Sequence, residues 1–285
     1  MPYGAGENTQ PVVESDQMTD TFIRVMLDNA IIARLLSASC QEAREQSLPN
    51  QDFAQILCRD GSTLCFCVCD GVGSSYKGDF AAHYLGGCLI EWLQSLTGLQ
   101  QDPAMLAGIL QAHLDRRAHE AQESLKRMGL PPETPHLVRE VLEDLCNSYG
   151  SETVFLCGRI DYGGWSSKLG ALSPIRALFC WMGNVTAWLF LAPGQFLKLG
   201  GEDENGSRWS TVRGCRGPIT AWSLALTTID RLIIHTDGLD PLGGSLVAFS
   251  DEEWQAQAER LRLLPKSDDM TALELRWLHG KEHAW

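Results

Sequence analysis

Residues 64–73 read Leu64-Cys65-Phe66-Cys67-Val68-Cys69-Asp70-Gly71-Val72-Gly73. Six consecutive apolar residues ending at an Asp-Gly turn pair are too short for a helix of ordinary length. They predict a strand covered on both faces that stops at a turn. Within it Cys65, Cys67 and Cys69 alternate, as residues on one face of a strand do. The chain has ten cysteines, with no CxxC pair and no zinc-finger spacing, so the thiols read as reduced core residues.

Upstream of this strand, residues 1–18 are polar and turn-rich and are expected to be poorly ordered. Between 20 and 36, Phe22, Ile23, Met26, Leu27, Ala30, Ile31 and Arg34 follow a helical period and predict an added N-terminal helix. From Phe53 the pattern is strand-like. Downstream, helices are predicted at about 78–97, 103–128 and 134–148. Strands then follow in series at 153–160, 175–181, 187–191 and 196–199, with turns at Gly183-Asn184 and Pro193-Gly194. Residues 201–218 are polar and Gly-rich and suggest an exposed flap. Trp209 and Trp222 flank it and read as packing residues. Strands at 221–226 and 231–236, a helix near 251–263 and a strand at 271–277 complete the pattern. Helices grouped between runs of hairpins argue for antiparallel sheets covered by helices, an α+β fold, and against a parallel doubly wound sheet.

The chemistry gathers at strand tips. Asp70 closes the run at 64–69, Asp237 closes Leu232-Ile233-Ile234-His235-Thr236, and Asp268-Asp269 immediately precede Met270-Thr271-Ala272-Leu273. Asp52 sits just before Phe53-Ala54. Each Asp taken alone is an ordinary turn residue. Ionised carboxylates beside a core are nevertheless costly unless paired, and few basic residues adjoin these in sequence. Hard divalent cations with oxygen ligands would neutralise them if the tips converge. His235 reads as a core histidine, His83 as a solvated or satisfied one, and His113 and His119 lack the spacing of a zinc pair.

In this order the motifs resemble the type-2C (PPM) metal-dependent protein serine/threonine phosphatase family, in a form closest to its bacterial subgroup. Asn50-Gln51-Asp52 looks like the opening acidic motif. Asp70-Gly71-Val72-Gly73, followed by Gly78-Asp79-Phe80-Ala81-Ala82, looks like the Asp-Gly-x-Gly turn and its helix. Gly150-Ser151-Glu152-Thr153, Trp181-Met182-Gly183-Asn184, His235-Thr236-Asp237-Gly238-Leu239 and Asp268-Asp269-Met270-Thr271 look like the remaining motifs. The resemblance implies a four-layer αββα sandwich of two antiparallel sheets flanked by helices. On this basis residues 35–278 form the phosphatase domain, 1–34 an extension with one helix, and 279–285 a tail.

The resemblance also implies two Mn2+ or Mg2+ ions between the sheets. Asp70 would bridge them with the Gly71 carbonyl as a further ligand, Asp237 and Asp268 would hold one ion, and Asp52 would act near the other. A metal-bridging water would then attack the phosphorus of phosphoserine or phosphothreonine. Arg44 is the one candidate for the phosphate-binding Arg that precedes the first motif. Four positions depart from the family pattern. Gln51 replaces a Glu ligand, and Val72 replaces a His found in eukaryotic members. Asn184 replaces an Asp tied to a third, weaker ion, and Pro241, beside Asp240, falls near another residue of that third site. Two ions are therefore expected rather than three.

The expected partner is a phosphorylated protein, a cognate serine/threonine kinase or its target. The net charge of −13, from 36 acidic and 23 basic residues, argues against nucleic acid or anionic lipid. Neither a signal peptide nor an apolar run long enough for a membrane helix is visible, which predicts a cytoplasmic protein. Gln51 and Asn184 keep open a second reading, a pseudophosphatase or phosphoprotein-binding regulatory module with a weakened metal centre.

Overall fold

The computed structural model describes residues 12–278 except 29–30, 60, 100, 163–174, 193, 202 and 204–205. The run 64–69 lies in β5 (Thr63–Gly71), the centre of the fold. On one side β5 pairs antiparallel with β4 (Phe53–Arg59), which pairs in turn with β1 (Val12–Glu14). On the other side lies β6 (Glu152–Asp161). Beyond β6 the sheet divides. The far part of β6 pairs with β7 (Ile175–Met182) and β7 with β12 (Thr220–Leu226). Its first residues pair with β10 (Arg208–Ser210) and β10 with β11 (Gly214–Arg216). A second antiparallel sheet runs in the order β2 (Thr21–Asp28), β3 (Ile31–Ala38), β14 (Met270–Trp277), β13 (Arg231–His235), β8 (Thr186–Ala192), β9 (Gln195–Gly200).

The period of two in β5 explains the layering. Leu64, Phe66 and Val68 pack between the sheets against Ile31, Leu35, Leu189, Leu232 and Leu273. Cys65, Cys67 and Cys69 point the other way, into a core made with α2 (Gly78–Ser95) and α3 (Pro103–Met128). The outer face of the second sheet packs Ile233, Ala272 and Met270 under Trp254 and Ala258 of α5 (Asp251–Arg262). Helix, sheet, sheet, helix is thus the αββα sandwich expected. The short α1 (Gln41–Gln46) and α4 (His136–Ser148) complete the described α-helices. None of the described helices is long and apolar enough to cross a membrane.

Two expectations are corrected. The described residues of 20–36 form no helix. They contribute β2 and most of β3, the latter seated between β2 and β14. β3 is covered on both faces, so Ile31–Leu36 is apolar but for the buried Arg34, and strand and helix periods are not told apart by so short a run. The boundary drawn at residue 34 therefore falls inside a strand. Residues 12–15 are likewise built into the sheet edge, with the Ser15 N–H donating to the Ala54 carbonyl at 2.9 Å. Residues 1–11 and the tail at 279–285 lie outside the described residues. The second correction concerns the flap. Trp209 of β10 is fully buried and its Nε1 donates to the Leu114 carbonyl at 3.1 Å, so this part of 201–218 is wall rather than flap. Trp222 is 43% exposed and meets Trp181 edge to face.

Eight of the ten cysteines are buried, and only Cys40 and Cys215 are partly exposed. Burial pushes the Cys65 thiol up to about 12 and Cys88 up to about 11, where the reactive thiolate is scarce at neutral pH. Native protein mixed with a thiol-labelling reagent is expected to react rapidly at no more than Cys40 and Cys215, and at all ten cysteines after denaturation. Fast labelling of Cys65 or Cys67 in folded protein contradicts the packing described.

Candidate metal and phosphate site

The parity that sorts β5 into two faces also aims its last carboxylate. Asp70 shares the inter-sheet side with Phe66 and Val68, so it emerges from the core where the two sheets diverge. Asp52 has the parity of Ala54 and Ile56 on the neighbouring strand. Asp237 follows β13 and Asp268 precedes β14, paired strands of the facing sheet. The four tips come from both sheets and meet at one end of the sandwich.

There Asp70, Asp237 and Asp268 border a cavity of about 320 Å³. Asp70, Gly71, Val72, Asn184, Asp237 and Asp268 line it, together with Asp203, Ser207 and Arg208. Asp52 lies behind this wall, 2% exposed, and its Oδ2 accepts a 2.7 Å hydrogen bond from the Thr236 hydroxyl. Asn50 fixes the same turn, accepting from the Asp52 N–H at 2.7 Å and donating to the Ser37 hydroxyl at 3.1 Å. Asn184 Nδ2 donates to Asp237 Oδ2 at 2.8 Å, and Asp268 Oδ1 accepts from the Asp269 N–H at 2.9 Å.

Gly71 is required by close approach. A Cβ there would lie 2.5 Å from the Gly78 carbonyl oxygen and 2.6 Å from that of Gln51. The Gly71 N–H donates to the same Gln51 carbonyl at 3.2 Å. The Asp-Gly turn is thereby locked to the start of α2 and to the loop that carries Asp52.

The electrostatics are one-sided. Burial, and then the charges of Asp237 and Asp268, hold the Asp70 carboxyl well above the ordinary carboxylate range. Burial and then Asp70 do the same to Asp52, and burial followed by Asp268 raises Asp237. Among the described lining residues Arg208 is the only cation. The protein alone leaves these carboxylates undercompensated, and oxygen donors gathered in this way fit hard divalent cations. Among the described residues no three His, Cys, Asp or Glu side chains already stand at metal-ligating separation.

Arg44 is not part of this arrangement. Its side chain is 60% exposed on α1, its acidic neighbours are Asp20 at 3.9 Å and Glu259 at 4.0 Å, and it is not among the residues lining the cavity. Asp240 is 56% exposed and lies 3.7 Å from His235 Nδ1. His235 is buried as a core residue, accepting from Trp188 Nε1 at 3.3 Å, and burial lowers its pKa.

Sequence reasoning passed over three residues. Asp203 and Arg208 come from the segment read as a flap, and only tertiary convergence brings them to the cavity. Asp269, the second Asp of the closing motif, is 6% exposed and accepts from the Cys40 N–H at 2.7 Å and the Gln51 N–H at 2.6 Å. It is a clamp between β14, the start of α1 and the loop carrying Asp52.

Comparison with solved structures finds this fold in bacterial phosphatases. Magnesium-bound RsbX superimposes with a TM-score of 0.55 at 14% identity, covering 90% of this chain and 100% of its own. The serine/threonine phosphatase Stp1 from Staphylococcus aureus gives 0.55 at 12% identity, with 87% and 95% covered. The S. agalactiae serine/threonine phosphatase gives 0.53 at 14% identity, with 86% and 99% covered. A sequence search of curated proteins finds no match. The sequence profile of the family described as Protein phosphatase 2C matches residues 41–274, which span every strand tip of the cavity. With that match over most of its length, the chain belongs to the protein phosphatase 2C family.

Proposed function

We propose that the protein is a manganese- or magnesium-dependent phosphatase that hydrolyses phosphoserine and phosphothreonine in proteins. The observation that carries this reading is the convergence of Asp70, Asp237 and Asp268 on one cavity, with Asp52 buried behind them. In this reading Asp70, the Gly71 carbonyl, Asp237 and Asp268 would hold the ions, and Asp52 would support them from behind. Bound ions would neutralise the carboxylates, acidify a water and offset charge on the phosphoryl oxygens.

The protein's own contribution is position. The Thr236 hydroxyl fixes the Asp52 carboxylate, and Asn184 fixes Asp237. The Gln51–Gly71–Gly78 contacts hold the turn that presents Asp70. None of the buried cysteines is needed as a nucleophile.

The test is release of phosphate from a phosphothreonine peptide with manganese or magnesium. Turnover that depends on metal and disappears with chelator is expected. Folded protein that binds manganese but releases no phosphate from any phosphopeptide rejects the enzymatic reading. A second reading, a regulatory module that binds phosphoprotein without cleaving it, is favoured by one contact. Asn184 occupies an Asp237 oxygen at 2.8 Å and so withholds one donor from a cation. Calorimetry separates the two, because the module binds fewer than two ions per chain.

A further inference from the structure

We infer that Arg208 is the residue that grips the phosphoryl group of the substrate. This rests on the phosphatase reading above. The cavity is lined by Asp70, Asp203, Asp237 and Asp268, and a phosphomonoester brings further negative charge into it. Ions held by the carboxylates answer part of that charge. A phosphoryl group also needs directional donors on its outward oxygens, which a guanidinium supplies as a planar fork. Arg44 faces Asp20 and Glu259 instead. Arg208 is the described cation at the cavity wall.

Its placement follows from the strand that carries it. β10 is only three residues long, Arg208–Ser210, and is held by β6 on one edge and β11 on the other. Trp209 is sunk in the helical-side core, so by alternation Arg208 is directed to the inter-sheet side, where the cavity opens. The Trp209–Leu114 hydrogen bond fixes the rotation of the strand and hence the direction of its neighbour.

The charge of Arg208 is only partly answered by the protein. Glu152, whose side chain is 6% exposed, lies between two arginines. It accepts a 3.0 Å hydrogen bond from Arg216. Its other oxygen stands 3.4 Å from Arg208 Nε, which makes no hydrogen bond among the described residues. One carboxylate therefore serves two guanidiniums, and Arg216 takes the better contact. Glu152 orients Arg208 from behind and, being shared with Arg216, neutralises it only in part. The Arg208 side chain is 30% exposed, and Nη2 lies against Gly206, itself a cavity residue with no side chain to cover the guanidinium.

The test is binding of inorganic phosphate to the full chain in magnesium, followed by phosphorus NMR, for wild type, Arg208→Ala and Arg208→Lys. Metal affinity is measured in parallel by calorimetry. Charge-assisted hydrogen bonds of this kind predict that Arg208→Ala weakens phosphate about ten- to a hundredfold. KM for a phosphopeptide should rise by a similar factor, with metal affinity unchanged. Arg208→Lys, which keeps the charge and loses the fork, should recover part of both. Phosphate affinity unchanged in Arg208→Ala overturns the assignment. So does phosphate binding lost together with metal binding, which marks a collapsed wall. Because the phosphate titration needs no turnover, it decides the role of Arg208 even if the chain proves to bind phosphoprotein without cleaving it.

Discussion

Asp70→Asn is expected to abolish turnover while making the metal-free protein more stable. The two effects have one cause. Protein surrounds the Asp70 carboxylate on every side but the cavity, and the charges of Asp237 and Asp268 add to the cost of ionising it. Replacing it by an amide of the same shape removes a repulsive charge and leaves the packing of β5 untouched. The same charge is what a pair of cations would need. Loss of the bridging ligand should lower turnover by roughly a thousandfold or more, about 4 kcal/mol of transition-state stabilisation. Thermal melts provide the second measurement. Wild type should be stabilised by about 2.7 kcal/mol when manganese is at a hundred times its dissociation constant. Asp70→Asn should start from a higher melting temperature without metal and gain little when metal is added. Near-wild-type turnover in Asp70→Asn removes Asp70 from the centre of the site. A metal-free melting temperature lower than that of wild type shows instead that the carboxylate has a structural partner.

Local signals made much of this fold and site legible. The termini of α3 follow from Asp102, whose Oδ1 accepts from the Ala104 N–H at 2.7 Å, from Pro103 in the first turn, and from Gly129 at the end with φ of 63°. The layering was legible because β5 alternates cysteines with larger apolar residues, a pattern meaningful only with both faces covered. The strand tips carrying Asp70, Asp237 and Asp268 could be found because each sits where an apolar run stops. β2 and β3 failed this test. Apart from Arg24 and Arg34 the stretches 22–27 and 31–36 are apolar, and a helical period was fitted to residues whose β-branched content, Ile23, Val25, Ile31 and Ile32, favours strands. Arg208 and Asp203 were illegible for another reason. Their segment pairs with β6, some fifty residues earlier in the chain, and nothing local records that pairing. Arg44 was chosen by its position before a motif, and position in sequence gave no account of where α1 points.

The other large effect is expected at Asp269, which lines no part of the cavity. Two adjacent aspartates open β14, and alternation sends them apart. Asp268 faces the cavity, and Asp269 turns toward the backbone of two loops. Its two oxygens each accept from one backbone N–H, that of Cys40 at 2.7 Å and that of Gln51 at 2.6 Å. Asp269→Ala removes both acceptors at once and leaves two part-buried N–H groups without them. Two bonds to a charged group at about 1.5–3 kcal/mol each give about 3–6 kcal/mol, and burial, which raises the Asp269 pKa, offsets part of it, so the loss should be about 3–5 kcal/mol, a large share of the roughly 5–15 kcal/mol that holds a domain folded. Asp269→Asn should fall between, since one oxygen remains while the amide NH2 meets a backbone donor. Denaturant melts of the three proteins measure this order.

The consequence for activity follows from what the clamp holds. The Gln51 carbonyl receives the Gly71 N–H, and the next residue is Asp52. A loosened Gln51 would therefore disturb both sides of the metal site without removing a ligand. Metal affinity and kcat/KM should drop together by about tenfold, the range for losing support behind a metal ligand. High manganese should restore part of the rate in Asp269→Ala and none in Asp70→Asn. Stability within about 0.5 kcal/mol of wild type, the range of an ordinary surface substitution, would show that the two N–H groups find acceptors elsewhere. The position of Asp52 would then have to be attributed to Thr236 and Asn50 alone.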